Sequence, residues 1–164
     1  MLRLDDFYRD HDAPDMPRSD ALGIVDWDDP RSWDAAAAVA AIVQLCSTGS
    51  AEVPVYDISQ SRAVGRHTVR LTGTPLIAEG LFAPEIVQAC KDAGVLDHAI
   101  CLQRPRLITF GLRLARDLRE GRKSPVTLVH RGWRLMRDEP EVIKHAIAAG
   151  CTAMSPGAAY RLLT

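Results

Sequence analysis

The sequence predicts an α/β fold in which a mainly parallel sheet is flanked by helices. Two observations carry this expectation. Short apolar runs bounded by turn residues alternate along the chain with longer runs of helix-forming residues, the pattern of strands joined by helical crossovers. The composition is globular, with 164 residues, 47% of them hydrophobic and 25% charged, which is enough apolar material for one core and too much for disorder. No repeat, low-complexity tract or linker interrupts the chain, so residues 1–164 are expected to form a single domain.

Met1 to Leu4 reads as the end of a strand. Tyr8 to Val25, with Pro14, Pro17 and Gly23 among polar residues, reads as a long loop of the kind that carries function. Asp29-Pro30 supplies an N-cap followed by proline at the first helical position, so a helix is expected to open there. It continues through the alanine-rich Ala35 to Leu45 and stops at Gly49. Val53 to Tyr56 and His67 to Leu71 read as short strands, and Thr72-Gly73-Thr74 turns the chain into Pro75 to Ala78, a buried strand ending at Glu79-Gly80. Pro84 to Asp92 is helical in pattern with Gly94 past its end, and His98 to Leu102 reads as a further strand. Leu107 to Glu120 and Val126 to Met136 read as helices separated by Gly121 to Pro125. A last helix starts at Pro140 and ends at Gly150.

Charge and cysteine usage exclude several classes. A formal net charge of -1 argues against recruitment to nucleic acid or a membrane by bulk electrostatics. The charge is unevenly spread: Met1 to Asp34 holds ten aspartates against four arginines, whereas Arg104 to Arg137 holds nine arginines and Lys123 against few carboxylates. One end suits hydroxyls or a metal and the other phosphates; both also suit solvated faces. Cys46, Cys90, Cys101 and Cys151 show no C-x-x-C spacing and fit buried reduced thiols. With no leader pattern and no apolar window near the ~18 residues of a membrane span, a cytoplasmic protein is the expectation. The five histidines lack H-E-x-x-H spacing and G-x-S-x-G is absent, so zinc-enzyme and hydrolase readings gain nothing. Trp133 between Arg131 and Arg134 lacks the repeated aromatics of a nucleic-acid stacking surface.

Five segments carry candidate chemistry. Asp5-Asp6-Phe7-Tyr8 places acids at a strand end, where α/β sheets gather ligands and where a general base could sit. Asp28-Asp29-Pro30-Arg31-Ser32-Trp33-Asp34 offers carboxylates for hydroxyls or for the positive end of a helix. Its spacing is not that of an EF-hand, which requires glycine at the sharp turn. Pro54-Val55-Tyr56-Asp57, followed by Gln60 and Arg62, supplies an aromatic, which also suits a plain interface, and an amide able to read amide and carbonyl edges. Glu79-Gly80 ends an apolar strand with one carboxylate, which suffices for Mg2+ when phosphate oxygens complete its shell and equally suffices to cap the next helix. Arg113-Leu114-Ala115-Arg116-Asp117 puts two guanidinium groups on one helix face, as a phosphate clamp or an exposed polar face requires.

In this order and spacing, from Leu2 to about Lys123, the segments resemble uridine kinase-like P-loop phosphotransferases, with phosphoribulokinase and pantothenate kinase as more distant relatives. The resemblance implies a P-loop NTPase-like sheet, ATP and Mg2+ as cofactors, and phosphorylation of a hydroxyl on a nucleoside or similar small molecule. It makes Asp5 the base, Tyr8, Asp28, Tyr56, Gln60 and Arg62 substrate contacts, and Glu79 the magnesium residue. Arg113 and Arg116 become catalytic phosphate clamps that hold ATP together with Arg122 and Lys123, on a lid-like helical segment from Arg104 to Arg137. Gln60 stands where such kinases carry a pyrimidine-reading histidine, which leaves the acceptor open. No glycine precedes a lysine, so the family's first strand, its G-x-x-x-x-G-K-[ST] phosphate loop and its first helix have no counterpart. The expectation is therefore an internal start and a chain that does not turn over ATP alone. The alternative is a non-catalytic ligand-binding or subunit-interaction protein derived from the kinase fold. A small-molecule partner is expected, with no nucleic acid and no membrane, and a homo-oligomer is compatible with the sequence.

Overall fold

The computed structural model of the protein describes residues 1–20, 23–73, 75–103 and 140–163. It is mixed α/β, with short parallel and antiparallel sheets and helices. The chain divides into two compact units, Met1–Asp97 and His98–Thr164. The segment expected to form the two arginine-bearing helices, with Arg113, Arg116, Arg122 and Lys123, lies outside the described residues.

In the first unit, strand β1 (Leu2–Arg3) runs directly into a 3-10 turn, Leu4–Phe7. A second 3-10 turn, Pro30–Ser32, precedes helix α1 (Ala35–Thr48), and strands β2 (Ser50–Asp57) and β3 (Arg62–Arg70) follow. Strand β4 (Ala78–Glu79), the 3-10 turn Ala83–Ile86 and helix α2 (Val87–Asp92) complete the unit. Strand β1 pairs parallel with β4, and β2 pairs antiparallel with β3. Leu2, Leu4, Phe7, Trp33, Leu45, Val53, Phe82 and Ile86 form the core between α1, the strands and α2.

Local chemistry corrects several expectations. Asp29 and Pro30 open a separate 3-10 turn, not α1: the Asp29 side chain accepts from Arg31 N, and the backbone becomes extended at Trp33. Asp34 is the cap of α1 and accepts from Ala37 N at 2.9 Å, leaving the alanine run to form the helix by propensity. Gly49 ends it in the left-handed region at φ 76°, the conformation glycine adopts without steric cost.

The two short strands expected at Val53 to Tyr56 and His67 to Leu71 belong to the two longer arms of one hairpin, Ser50–Asp57 and Arg62–Arg70. Its turn carries a backbone bond from the Gln60 N–H to Asp57 O at 3.2 Å, and the Asp57 carboxylate reinforces it by accepting from the Ser59 N–H and hydroxyl and from the Gln60 side-chain amide. The expected buried strand Pro75 to Ala78 pairs only from Ala78, and Ile77 is 46% exposed.

In the second unit, strand β5 (Ile100–Leu102) pairs parallel with β6 (Thr152–Met154). Residues 140–148 form helix α3, and helix α4 (Pro156–Leu163) follows β6. Gly150, at φ 100°, turns the chain out of α3 into β6. Cys90 and Cys151 are buried as expected, whereas Cys101 is half-buried and Cys46 is exposed on α1.

Candidate functional site

The parallel pairing of β1 with β4 aligns Arg3 with Glu79 and so brings the carboxyl ends of both strands side by side. Asp5 lies just beyond the first end and Gly80 just beyond the second. The Leu81 N–H donates to Asp5 Oδ1 at 3.3 Å. A Cβ at position 80 would meet both Asp5 Oδ1 and Leu4 Cβ at 2.8 Å, so the glycine permits this approach. The D-D-F-Y and E-G segments, far apart in sequence, thus share one place. Asp6 is buried and lies 3.9 Å from Arg3 Nε, and both residues line the same cleft as Asp5.

Tyr8 follows the turn and is half-buried. Its ring centroid lies 5.8 Å from Trp27, 5.8 Å from Tyr56 and 5.7 Å from Phe82, in edge-on and tilted arrangements favoured by the ring quadrupoles. Main-chain bonds hold this segment in place. Arg9 N–H donates to Ser32 O and Asp34 N–H to Phe7 O, each at 2.9 Å. The Tyr8 hydroxyl donates to Trp27 O and the Tyr56 hydroxyl to Arg9 O, both at 3.3 Å.

Asp5, Tyr8, Trp27, Tyr56 and Ile58 line one cleft of about 400 Å³, within the size range of small-molecule sites. Aromatic rings form one wall and the Asp5 carboxylate stands beside them. Tyr8 is pushed up to about 12 by burial and by the Asp5 and Asp28 charges. Tyr56 is likewise pushed up to about 12 by burial and by Asp10. Both phenols therefore stay protonated at neutral pH and act as hydrogen-bond donors and stacking surfaces.

The remaining sequence candidates stand around this cleft. Asp28 is exposed, its N–H held by Asp26 Oδ1 at 3.1 Å, and its charge acts on Tyr8. Gln60 donates to Asp57 Oδ2 at 2.7 Å in the hairpin turn and is not among the cleft-lining residues. Arg62 opens β3 opposite Asp57 and is exposed. Glu79 is exposed at the end of β4. No group of three or more His, Cys, Asp or Glu suited to a metal occurs among the described residues. Arg3, Trp27, Ile58 and Ser61 are lining residues that sequence reasoning passed over. The signal for Trp27 was its place in the acidic Val25-Asp26-Trp27-Asp28 run, while Ile58 gave none.

Compared with protein-family models and with curated proteins, the chain gives no match.

Proposed function

We propose that this cleft is the acceptor site of a uridine kinase-like, ATP-dependent phosphotransferase, binding a nucleoside or a similar hydroxyl-bearing ring compound. The observation that carries the reading is the juxtaposition of Asp5 with an aromatic wall at the carboxyl ends of two parallel strands. The wall takes a flat ring. Leu81 N–H holds Asp5 Oδ1, so Oδ2 is the oxygen turned to use as general base, taking the proton of the attacking hydroxyl. The reading places the chain in a P-loop NTPase-like fold.

Mg2+ fits the donor set only if phosphate oxygens supply most of its shell, with Glu79 contributing one carboxylate. When bound, the ion neutralises phosphate charge. Arg113, Arg116, Arg122 and Lys123 are assigned to the phosphates on the resemblance alone. Without a G-x-x-x-x-G-K-[ST] loop among these 164 residues, backbone amides for the nucleotide phosphates are missing, and ATP turnover by the chain alone is not expected.

Calorimetric titration with uridine, cytidine, adenosine and free ribose tests the site. At least one nucleoside should bind and ribose alone should bind more weakly. Tyr56→Ala should weaken nucleoside binding about tenfold, the scale of one lost base–aromatic stack. Asp5→Asn, whose amide oxygen still accepts from Leu81, should keep binding within a few-fold. Failure of every nucleoside to bind would sink the acceptor-site reading. Phosphorylation of a nucleoside by the purified chain would overturn the expectation of inactivity.

A further inference from the structure

The longest strand in the described residues is also the least covered. Strand β3 spans nine residues, Arg62–Arg70, and only Val69 is better than exposed. One edge pairs with β2; among the described residues no strand pairs with the other. The bonding phase fixes which groups face outward. Leu71 N–H donates to Gly49 O at 2.9 Å, next to the Ser50↔Arg70 pair. Bonded and non-bonded pairs alternate in an antiparallel ladder, so Val69, His67 and Gly65 turn their amides and carbonyls toward β2. Arg70, Thr68 and Arg66 turn theirs outward. Pro54 opposite Arg66 fits this phase, since a residue without an N–H belongs at a non-bonded position. The register shifts between Val55 and Tyr56, where β3 carries one extra residue.

The strand's own charge is of one sign; at its start the Ala63 N–H already donates to Asp10 Oδ1 at 2.8 Å, so the open stretch is the one that carries Arg66, Thr68 and Arg70. Strand β3 holds Arg62, Arg66, Arg70 and His67 and no carboxylate. The hairpin's two acids are already used: Glu52 takes the Thr68 hydroxyl and Asp57 takes Ser59 and Gln60. Arg66 donates to Glu52 O at 2.8 Å, while Arg62 and Arg70 make no ion pair among the described residues. A second copy of β3 would set arginines against arginines, which is destabilising across a strand pair. The feature that rejects a second copy selects for acid.

We propose that the outer edge of β3 docks an extended acidic peptide segment of another protein, which adds to the hairpin as a third strand. Main-chain bonds to Arg66, Thr68 and Arg70 give the affinity, and carboxylates on alternate residues give the selectivity. A single-stranded nucleic acid would match the arginines but leave the row of outward amides and carbonyls without partners.

The test uses the full chain and a dye-labelled peptide of about eight residues that alternates glutamate with valine. Glutamine-for-glutamate and lysine-for-glutamate peptides serve as controls. Fluorescence anisotropy should show the glutamate peptide binding about fivefold or more tighter than the glutamine one, the scale of one or two cross-strand charge pairs. Amide exchange at Arg66, Thr68 and Arg70 should slow in the complex. Arg70→Glu, an exposed change, should weaken the glutamate peptide and strengthen the lysine peptide with an unchanged melting temperature. Equal binding of the glutamate and glutamine peptides, no binding, or binding without slowed exchange at those amides would overturn the proposal. Protection of the same amides in the free chain that grows with protein concentration would overturn it in favour of self-pairing.

Discussion

The indole N–H of Trp33 donates to the main-chain carbonyl of Leu4 at 2.7 Å, with both residues buried. This bond ties the turn that carries Asp5 to the extended segment ahead of α1. Tyr8 and Trp33 reinforce it as an isolated antiparallel bridge. Trp33→Phe keeps a ring against Phe82 but takes the indole donor from the buried Leu4 carbonyl. A stability loss of about 1–3 kcal/mol in urea unfolding is expected, together with weaker ligand binding in the cleft. A loss under about 0.5 kcal/mol would mean that the Leu4 carbonyl finds another donor.

Gly80 and Gly65 should respond oppositely to the same substitution. A methyl at position 80 meets Leu4 Cβ and Asp5 Oδ1 at 2.8 Å, whereas at position 65 nothing lies within 4 Å. Gly65 is also absent from the positive-φ glycines. Gly80→Ala should cost about 1–3 kcal/mol through overpacking and displace the Asp5 carboxylate. Gly65→Ala should stabilise by about 0.5 kcal/mol by restricting the unfolded chain. Paired denaturation curves decide it, and equal effects at the two sites would contradict the close approach of Gly80.

Asp34, not Asp29, controls α1. Asp34→Ala removes the acceptor for Ala37 N–H and should cost about 1 kcal/mol with a loss of helical circular dichroism. Asp29→Ala should leave the helical signal unchanged, because its carboxylate serves the Arg31 N–H and guanidinium and no amide of α1 among the described residues. Asp34→Asn should recover most of the lost stability.

Tyr8 and Tyr56 should make the fold alkali-sensitive. Both phenols lie at about 12 in the folded chain against 10.0 for the ordinary group. Between these values the native state holds more protons than the unfolded state, so stability falls as pH rises. The contribution is fully present below pH 10 and is lost as pH approaches about 12. Tyrosinate absorbance should show two late-titrating phenols, and Tyr56→Phe should remove one of them. It should also reduce the decline of the urea midpoint over that interval.

Much of this protein was determined by its sequence alone. Helix α1 follows from a run of alanines, its end from Gly49, the hairpin strands from β-branched residues, and the candidate base from an acid placed just past a strand. These are local choices: each depends on propensity or on bonds within a few residues, so the order of residues suffices. What the tertiary structure decided is which of the local signals meet. Asp29 and Asp34 are both good caps in sequence, and only the extended backbone at Trp33, fixed by the Leu4 carbonyl, assigned α1 to Asp34. The pairing of β1 with β4 set Asp5 against Gly80 and Leu81, and the return of β2 past Tyr8 built the aromatic wall. Such contacts join residues distant along the chain through packing, where a fit of a few ångströms decides the outcome and no local pattern encodes it.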